Sequence, residues 1–339
     1  MPRHADVTVR RARMVLAALL LTAAPATAQD VASATRPVAT YSMVARDPVT
    51  GEMGVAVQSH WFSVGPVVPW ARAGVGAVAT QSFTNIAHGP DGLDLMEQGL
   101  PPEEALARLI DGDEGRAARQ VALLDARGRT AAWTGERCIA EAGHRTGENY
   151  SVQANLMERA SVPDAMVAAF TSAQGDLAAR MLAALAAAEA EGGDIRGRQS
   201  AAIVVVRGES TGRVWADRLV DLRVEDHPDP VTELARLLTL RKAYALMDAG
   251  DRALAAGDIE GALQQYSAAA SVAPSAYETG FWAGITLAGT GREAEALPFL
   301  RSAYAAEPRL RQLVSRLPAA GLLPDDDELV ARLVSAGDD

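Results

Sequence analysis

Short apolar segments with polar residues at their ends dominate the chain from Thr40 to about residue 225. The predicted strands are 40–45, 54–59, 74–81, 119–125, 130–134, 150–157 and 200–207, with a further β-rich stretch at 213–224. The DPVTG turn at 47–51 makes the first two a hairpin. Helical patterns occupy 90–98, 102–111 and 163–190. Because the strands cluster rather than alternating with helices, the pattern favours two layers of antiparallel sheet with helices outside over a doubly wound parallel sheet.

From Pro230 onward the pattern is helical, and residues recur with a period of 34 positions. The matched pairs are Gly250 and Gly284, Gly257 and Gly291, Ala262 and Ala296, Leu263 and Leu297, Tyr266 and Leu300, Ala269 and Ala303, and Pro274 and Pro308. This period, with small residues where two helices touch, is typical of tetratricopeptide repeats. Two repeats cannot bury their apolar faces alone, so we expect a helix at 231–245 and the tail at 310–337 to cap them.

Residues 1–28 predict a secretory signal peptide. Arginines at positions 3, 10, 11 and 13 form a positive region, Met14 to Ala24 is apolar, and an A-x-A cleavage site ends at Ala28. The apolar stretch is too short to span a bilayer, and a buried N-terminal helix is the alternative. Residues 29–39 are small and polar, which is typical of a linker or propeptide. We expect an exported protein, periplasmic or secreted, without a membrane anchor.

The composition excludes several classes of function. The 339-residue chain has 49% hydrophobic and 22% charged residues, the balance of a soluble globular protein, and a net charge of −11. An acidic chain without a basic stripe is a poor nucleic-acid ligand, because phosphate binding needs Lys and Arg. Cys138 is the single cysteine, so no internal disulfide can form, and a buried apolar role suits it better than a reactive thiol. The histidines lack metal-ligand spacing, so we expect neither metal nor cofactor.

Polar residues stand at the ends of several predicted strands. They are Ser59, His60, Thr80, Gln81, Asn85, Gln153, Asn155, Gln199 and Ser200. Such groups either converge on a site or bond to turns and strand termini. No G-x-S-x-G elbow, zinc motif or P-loop accompanies them. Cys138 and His144, close together in a turn-rich segment, leave a Cys–His hydrolase as an alternative.

Several segments in order carry a family resemblance: TYSMVARDPVTGEMGVAVQSHWFSVGPVVPWARAGVGAVATQSFTN from Thr40, then YSVQANLM, GGDIRGRQSAAIVVV and VDLRVEDHPDPVTELARLL. They resemble the bacterial domain-of-unknown-function family 1028, which is placed in the N-terminal-nucleophile (Ntn) hydrolase superfamily. The resemblance covers about residues 40–240. It implies an α+β fold, an Ntn-hydrolase-like αββα four-layer sandwich over 40–228. An all-α, tetratricopeptide-like domain is expected to follow at 229–339.

The resemblance also implies where the chemistry lies. Ntn hydrolases use a Ser, Thr or Cys that becomes the first residue of the mature chain, and its own α-amine accepts the side-chain proton. The matching residue is Thr40, so residues 29–39 must be removed by self-cleavage or by another protease. Gln153, Asn155 or backbone N–H groups of the 74–81 strand are candidates to hold the oxyanion. The candidates to line the pocket beside Thr40 are Ser59, His60, Thr80 and Gln81.

A compact motif precedes the predicted strand at 200–207. Its members are Asp194, Arg196, Arg198, Gln199 and Ser200. An Asp–Arg pair in it can orient the amine or bind a substrate carboxylate through two hydrogen bonds. A salt-bridged turn leading into the strand is the alternative.

Two functions remain open at this point. The first is an exported hydrolase of linear amide bonds, acting on acylated amino acids, small peptides or cell-wall fragments. Its repeats would bind a protein or peptide partner or shape the substrate entrance. The second is a non-catalytic exported scaffold that acts through its helical repeats. They differ in whether Thr40 has a free amine beside a pocket or lies buried with a peptide on its nitrogen.

Overall fold

The computed structural model of the protein describes Val38 and residues 40–337. The predicted signal peptide and the rest of the predicted linker lie outside this part of the chain. Within it the fold is α+β, with two antiparallel sheets as the clustered strands predict. The strands are β1 (Thr40–Arg46), β2 (Met53–Ser59), β3 (Pro69–Arg72), β4 (Gly76–Ser82), β5 (Arg119–Asp125), β6 (Thr130–Thr134), β7 (Gly143–Gly147), β8 (Tyr150–Asn155), β9 (Ser200–Val206) and β10 (Arg218–Val224). The helices are α1 (His88–Glu97), α2 (Pro102–Asp111), α3 (Val162–Ser172), α4 (Leu177–Ala190), α5 (Val214–Asp217), α6 (Pro230–Ala255), α7 (Ile259–Val272), α8 (Tyr277–Gly289), α9 (Glu293–Ala306), α10 (Leu310–Val314) and α11 (Asp327–Val334).

The six-stranded sheet has the order β10-β9-β2-β1-β8-β7, and the four-stranded sheet has the order β3-β4-β5-β6. The predicted hairpin of β1 and β2 is confirmed, with Thr40 opposite Ser59 and Arg46 opposite Met53. On its other side β1 pairs with β8, where Thr40 lies opposite Asn155. β1 is therefore a central strand, and both of its faces are buried.

Successive side chains of β1 face two different cores. Met43 belongs to the core that the six-stranded sheet shares with α3, α4 and the first half of α6. Val44 belongs to the core between the two sheets. Because side chains alternate along a strand, Thr40 and Ser42 lie on the same inter-sheet side as Val44. A third core joins the outer face of the four-stranded sheet to α1 and α2, so the layers run helix, sheet, sheet, helix.

The helical pattern at 163–190 is divided into α3 and α4. Gly175 adopts a φ of 109°, and Asp176 accepts the N–H of Ala179 at 2.8 Å as the N-cap of α4. A left-handed glycine followed by an Asp cap ends one helix and begins the next. The helix predicted at 102–111 is confirmed, and Glu103 and Glu104 in its first turn favour the positive end of its dipole.

The strand pattern misses β3 and β7, and α5 forms where β-structure was expected from residue 213. Both missed strands lie at sheet edges. β3 starts with Pro69, and β7 reads GHRTG with exposed polar side chains. An edge strand tolerates proline and charge, because one side of its backbone needs no partner strand. Its sequence therefore lacks the apolar run that identifies a central strand.

The 34-residue period reappears in the contacts of the C-terminal helices. A Cβ on Gly250 would lie 2.7 Å from the ring of Tyr266, and a Cβ on Gly284 would lie 2.8 Å from the side chain of Leu300. These two contacts are related by the period, so the same close approach of helices occurs twice. Glycine is required at both places because a side chain there would separate the helices.

Helix α6 is longer than the predicted 231–245 and contributes to two cores. Leu234 packs in the helix-side core of the six-stranded sheet, whereas Met247 packs with α7. At the other end, Leu329 and Leu333 of α11 share a core with Phe281 of α8, so the tail packs on the helices that precede it. In the described residues, no helix combines the length and apolar character of a membrane span.

Candidate functional site

Polar residues form a row across four neighbouring strands at one end of the six-stranded sheet. Ser200 lies opposite Ser59, Ser59 lies opposite Thr40, and Thr40 lies opposite Asn155. Directly opposed residues of antiparallel strands point to the same face, which here is the inter-sheet side. All of them are fully buried. The row thus brings together residues that the sequence singled out in separate segments.

Thr40 is enclosed by the chain that precedes it. Its Oγ1 donates to the carbonyl of Val38 at 2.7 Å and lies 3.1 Å from Ser59 Oγ. The N–H of Val38 donates to the carbonyl of Ser82 at 2.7 Å, and the N–H of Ser82 donates back to the carbonyl of Val38 at 3.0 Å. Thr40 is therefore the first residue of its strand, and Val38 covers it.

A cluster of side-chain amides holds the carbonyl of Thr40. Gln81 Nε2 donates to this oxygen at 3.1 Å, and Asn155 Nδ2 approaches it at 3.5 Å. Gln120 Oε1 accepts from both amides, at 2.7 Å from Gln81 and 2.9 Å from Asn155. Gln120 Nε2 in turn donates to the carbonyl of Ala154 at 2.9 Å. Gln120, on the facing sheet, thus fixes the orientation of the two amides nearest Thr40.

Gln153 lies one residue pair deeper than Thr40. It is opposite Ser42, and its Nε2 donates to Ser42 Oγ at 2.6 Å. Ser42 Oγ donates to Gln81 Oε1 at 2.6 Å, so the chain of hydrogen bonds continues into the amide cluster. Gln153 is therefore linked to the amide cluster through Ser42, whereas Asn155 is the direct neighbour of Thr40.

Asp194 anchors a loop at the same end of the sheet. Its carboxylate is fully buried, accepts the N–H of His60 at 3.0 Å, and accepts both the N–H and the guanidinium of Arg196 at 2.8–3.1 Å. These contacts tie the loop before β9 to the residue that follows β2. They correspond to the salt-bridged-turn alternative, and they place His60 and Arg196 at the rim of the row.

Thr80 and Ser200 direct their hydroxyls away from Thr40. Thr80 lies on the outer face of β4 and donates to the carbonyl of Asn85 at 3.0 Å. Ser200 accepts the N–H of Val64 at 3.1 Å and donates to the same loop. Ser200 therefore belongs to the row by register, and its hydroxyl supports the loop after β2.

Arg198 and Gln199 lie outside the row. The guanidinium of Arg198 contacts Glu189, whose Oε1 accepts the hydroxyl of Tyr41 at 2.5 Å on the helix side of the sheet. Burial raises the pKa of Glu189 and, with the nearby carboxylate, raises the pKa of Tyr41 well above its usual range. Gln199 donates to the exposed Asp226 at 3.1 Å. Of the 194–200 motif, Asp194, Arg196 and Ser200 are therefore next to the candidate site, whereas Arg198 and Gln199 are not.

Cys138 and His144 have separate partners. Cys138 Sγ donates to the carbonyl of Arg119 at 3.3 Å, and burial raises the pKa of this thiol, which is the opposite of an activated nucleophile. His144 Nδ1 lies 2.8 Å from Thr134 Oγ1, and burial lowers the pKa of this histidine. These contacts do not support a Cys–His dyad. Within the part of the chain that is described, no group of three or more His, Cys, Asp or Glu side chains is arranged to hold a metal ion.

Sequence reasoning missed Ser42 and Gln120. Ser42 is two residues beyond Thr40 on the same strand face, and Gln120 is a polar residue at the start of an apolar strand. Gln120, next to the first residue of β5, fits the rule for strand-end residues, whereas Ser42 lies inside β1 and does not. Gln58 is also fully buried, but it faces the helices, and its side-chain amide has no hydrogen-bond partner among the described residues.

Surface cavities of about 310–630 Å³ lie away from the row, and none of them is lined by Thr40. The largest lies at the opposite end of the six-stranded sheet, beside Arg46, Glu52 and Arg207. Two others, of about 490 and 420 Å³, lie among the C-terminal helices and share Trp282 as a lining residue. Thr40 is thus not open to any of these cavities, and its hydroxyl donates to the carbonyl of Val38.

Comparison with known proteins identifies relatives of the segment that contains the row. A family model described as "Family of unknown function (DUF1028)" matches residues 40–234. The chain is 32% identical to a DUF1028 protein from Silicibacter pomeroyi of known crystal structure, over 59% of this chain and 84% of that one, with a TM-score of 0.53. No curated protein matches the chain. The matched segment contains the whole row and the amide cluster, and it ends within α6.

Proposed function

The chain belongs to the DUF1028 family, and from that premise we propose that it is an exported Ntn-type hydrolase of linear amide bonds with Thr40 as nucleophile. One observation carries the proposal. Thr40 begins a central strand between two sheets, its hydroxyl is 3.1 Å from Ser59, and side-chain amides hold its carbonyl. The layer order helix, sheet, sheet, helix is the one that the Ntn resemblance implies.

The reaction needs a free amine on Thr40. The pKa of an α-amine is about 8, so a useful fraction is neutral near pH 7 and can accept the Oγ1 proton. Oγ1 bonds to the carbonyl carbon of the substrate amide, the C–N bond breaks, and the leaving amine takes that proton. Water then attacks the ester, giving one proton to the amine of Thr40. The carboxylic acid leaves and Oγ1 regains its proton.

Asn155 is the residue best placed to accept a hydrogen bond from the freed amine of Thr40. It is the cross-strand partner of Thr40, and its Oδ1 has no hydrogen-bond partner among the described residues. A buried acceptor without a donor is costly, and a new N–H donor at Thr40 would remove that cost. Asn155 Nδ2 is the candidate oxyanion donor, because it lies beside Thr40 and its contact with the carbonyl of Thr40 is long, at 3.5 Å, whereas Gln153 donates to Ser42 one pair deeper.

Exposure of Thr40 requires the loss of every residue before it. Signal cleavage after Ala28 would leave residues 29–39 attached. Thr40 Oγ1 can remove them by attacking the carbonyl carbon of Ala39, so that a C–O bond forms while the Ala39–Thr40 C–N bond breaks. The nitrogen of Thr40 takes the hydroxyl proton, and water hydrolyses the resulting ester. Until this happens, Val38 keeps the site closed.

The helical region supplies a second candidate function, that of an exported scaffold. The repeated contacts of Gly250 and Gly284 support its assignment to tetratricopeptide-like repeats. Trp282 separates two cavities of about 490 and 420 Å³ that can accept side chains of a protein or peptide partner. This reading is favoured by the burial of Thr40 in the uncleaved chain, and it requires that the protein functions without any free amine on Thr40.

The test uses protein produced with Thr40 as its first residue, released from a cleavable fusion. We expect this protein to hydrolyse members of a panel of N-acyl-amino-acid and peptide anilides. Thr40→Ala should lose about 10³-fold or more in rate, and Thr40→Ser, which keeps a nucleophilic hydroxyl, should retain activity. The matched control is Thr40→Ala in the chain that retains residues 29–39. Equal rates for wild type and Thr40→Ala across the panel would refute the hydrolase and leave the scaffold.

A further inference from the structure

Val38 is bound in the way that a protein binds one residue of an extended peptide. Val38 is fully buried, and its N–H and carbonyl both pair with Ser82, at 2.7 and 3.0 Å. Its side chain belongs to the inter-sheet apolar core, together with Val64 and Val68 of the loop before β3. Main-chain pairing at a sheet edge, combined with a recess for the side chain, is how strand-addition sites recognise peptides.

The position and the backbone conformation of Ser82 suit this pairing. β3 covers the edge of β4 only as far as Thr80, so the edge is open at Ser82 and Val38 fills it. Ser82 has a φ of 69°, a left-handed conformation that costs a non-glycine residue free energy. Strained residues of this kind cluster where the surrounding structure uses them. Both polar groups of its backbone are used here, one as donor and one as acceptor, on a single bound residue.

Removal of the residues before Thr40 would empty the site that Val38 occupies. That site would then lie next to the nucleophile Thr40. Thr40 Oγ1 and the N–H of Ser82 both donate to the same carbonyl oxygen of Val38. We infer that, in the mature protein, the emptied place binds the acyl side of the substrate. The substrate class is then an extended peptide with a small branched aliphatic residue at the penultimate position before the scissile amide. The inference rests on the proposed function, because it takes the attacked amide of the substrate to correspond to the Ala39–Thr40 bond.

The recess sets the expected selectivity. A penultimate aspartate would be buried without a partner among apolar side chains, so kcat/KM should fall by about 10²-fold or more relative to valine. A penultimate alanine keeps the main-chain pairing but leaves part of the recess empty, so a loss of roughly tenfold is expected.

The experiment compares three substrates on protein that begins at Thr40 and unfolds cooperatively: the coumarin anilides of acetyl-Pro-Val-Ala, acetyl-Pro-Ala-Ala and acetyl-Pro-Asp-Ala. A second readout needs no catalysis. Calorimetry measures the binding of the free acids of the valine and aspartate peptides to the Thr40→Ala form. We expect both readouts to rank valine above aspartate.

The two failures are distinguishable. If the anilides are cleaved at similar rates whatever the penultimate residue, the subsite is refuted while the hydrolase stands. If no anilide is cleaved but the valine peptide still binds more tightly than the aspartate peptide, the subsite stands and the hydrolase fails. If the two peptides bind equally, or neither binds, the subsite is refuted.

Discussion

The space between the two sheets has an apolar half and a polar half, and the same strands supply both. Along β1, Val44 packs against aliphatic neighbours, whereas Ser42 and Thr40 enter a hydrogen-bonded cluster. Along β5, Leu124 and Gln120 show the same change. Burial of apolar area stabilises the fold, while each buried amide only recovers what its desolvation costs. The polar half therefore adds little stability, which agrees with a chemical role for it.

The largest expected effect on stability lies in the apolar half. Leu124→Ala removes a fully buried side chain and leaves a cavity, so the free energy of unfolding should fall by about 2–5 kcal/mol. Activity per folded molecule should stay unchanged. Urea unfolding and amide hydrolysis of the Thr40-starting protein measure both quantities. Leu124→Met is the matched control and should cost less than about 1.5 kcal/mol. A loss of activity in the folded fraction would show that the two halves are not separable.

Gln120→Leu should affect both stability and activity. It deprives Gln81 Nε2 and Asn155 Nδ2 of their shared acceptor, at a cost of about 1–3 kcal/mol. The two amides would then lose their fixed orientation beside Thr40, and we expect kcat to fall by about tenfold or more, because misplaced groups at a site are costly. Thermal unfolding and steady-state kinetics are the measurements. Unchanged kcat in a folded variant would remove Gln120 from the candidate site.

Gln58→Met sharpens the comparison, because Gln58 is a buried amide outside the cluster. Its side-chain N and O have no hydrogen-bond partner among the described residues, so an apolar side chain of similar volume should be neutral or stabilise by about 1 kcal/mol. Activity should not change. Thermal unfolding measured side by side with Gln120→Leu checks the contrast. Destabilisation of Gln58→Met by more than about 1 kcal/mol would mean that the amide of Gln58 makes hydrogen bonds that stabilise the fold.

The effect of pH on stability should be smaller. The polar half is built from neutral amides and hydroxyls, which do not change charge near neutral pH. His88, on the outer side of the four-stranded sheet, has its pKa lowered by burial even though Asp113 lies 3.2 Å away. The unfolded chain therefore binds the proton first, and stability should decrease as the pH falls below about 6.5, the unfolded pKa of histidine. His88→Gln should flatten this slope in unfolding experiments between pH 5 and 7. An equal slope in both proteins would place the titrating group elsewhere.

The sequence predicts the inner strands of both sheets well, because each is an apolar run bounded by turn residues. The strand-end rule also identifies Ser59, Asn155 and Ser200, and the family resemblance identifies Thr40. The strand register then aligns these four residues in one row. That rule cannot separate the two faces of a strand end, which is why Thr80 is included although its hydroxyl faces outward.

Other features depend on pairing between segments that are distant in the sequence. Gln120 is central only because β5 faces β1 and β8 across the inter-sheet space. The bridge between Val38 and Ser82 involves a single residue of a segment whose composition reads as a linker. The edge strands β3 and β7 are short and polar, so their sequences resemble those of loops.

The most direct test of the central claim is the intact mass and N-terminal sequence of the mature protein from its native compartment. Thr40→Ala, processed in parallel, is the control. The account predicts that active wild-type protein begins at Thr40 and that Thr40→Ala retains the preceding residues if the cleavage is its own. Active wild-type protein that still carries Val38 and Ala39 on Thr40 would contradict the account, because neither the amine nor the emptied place beside Ser82 would then exist.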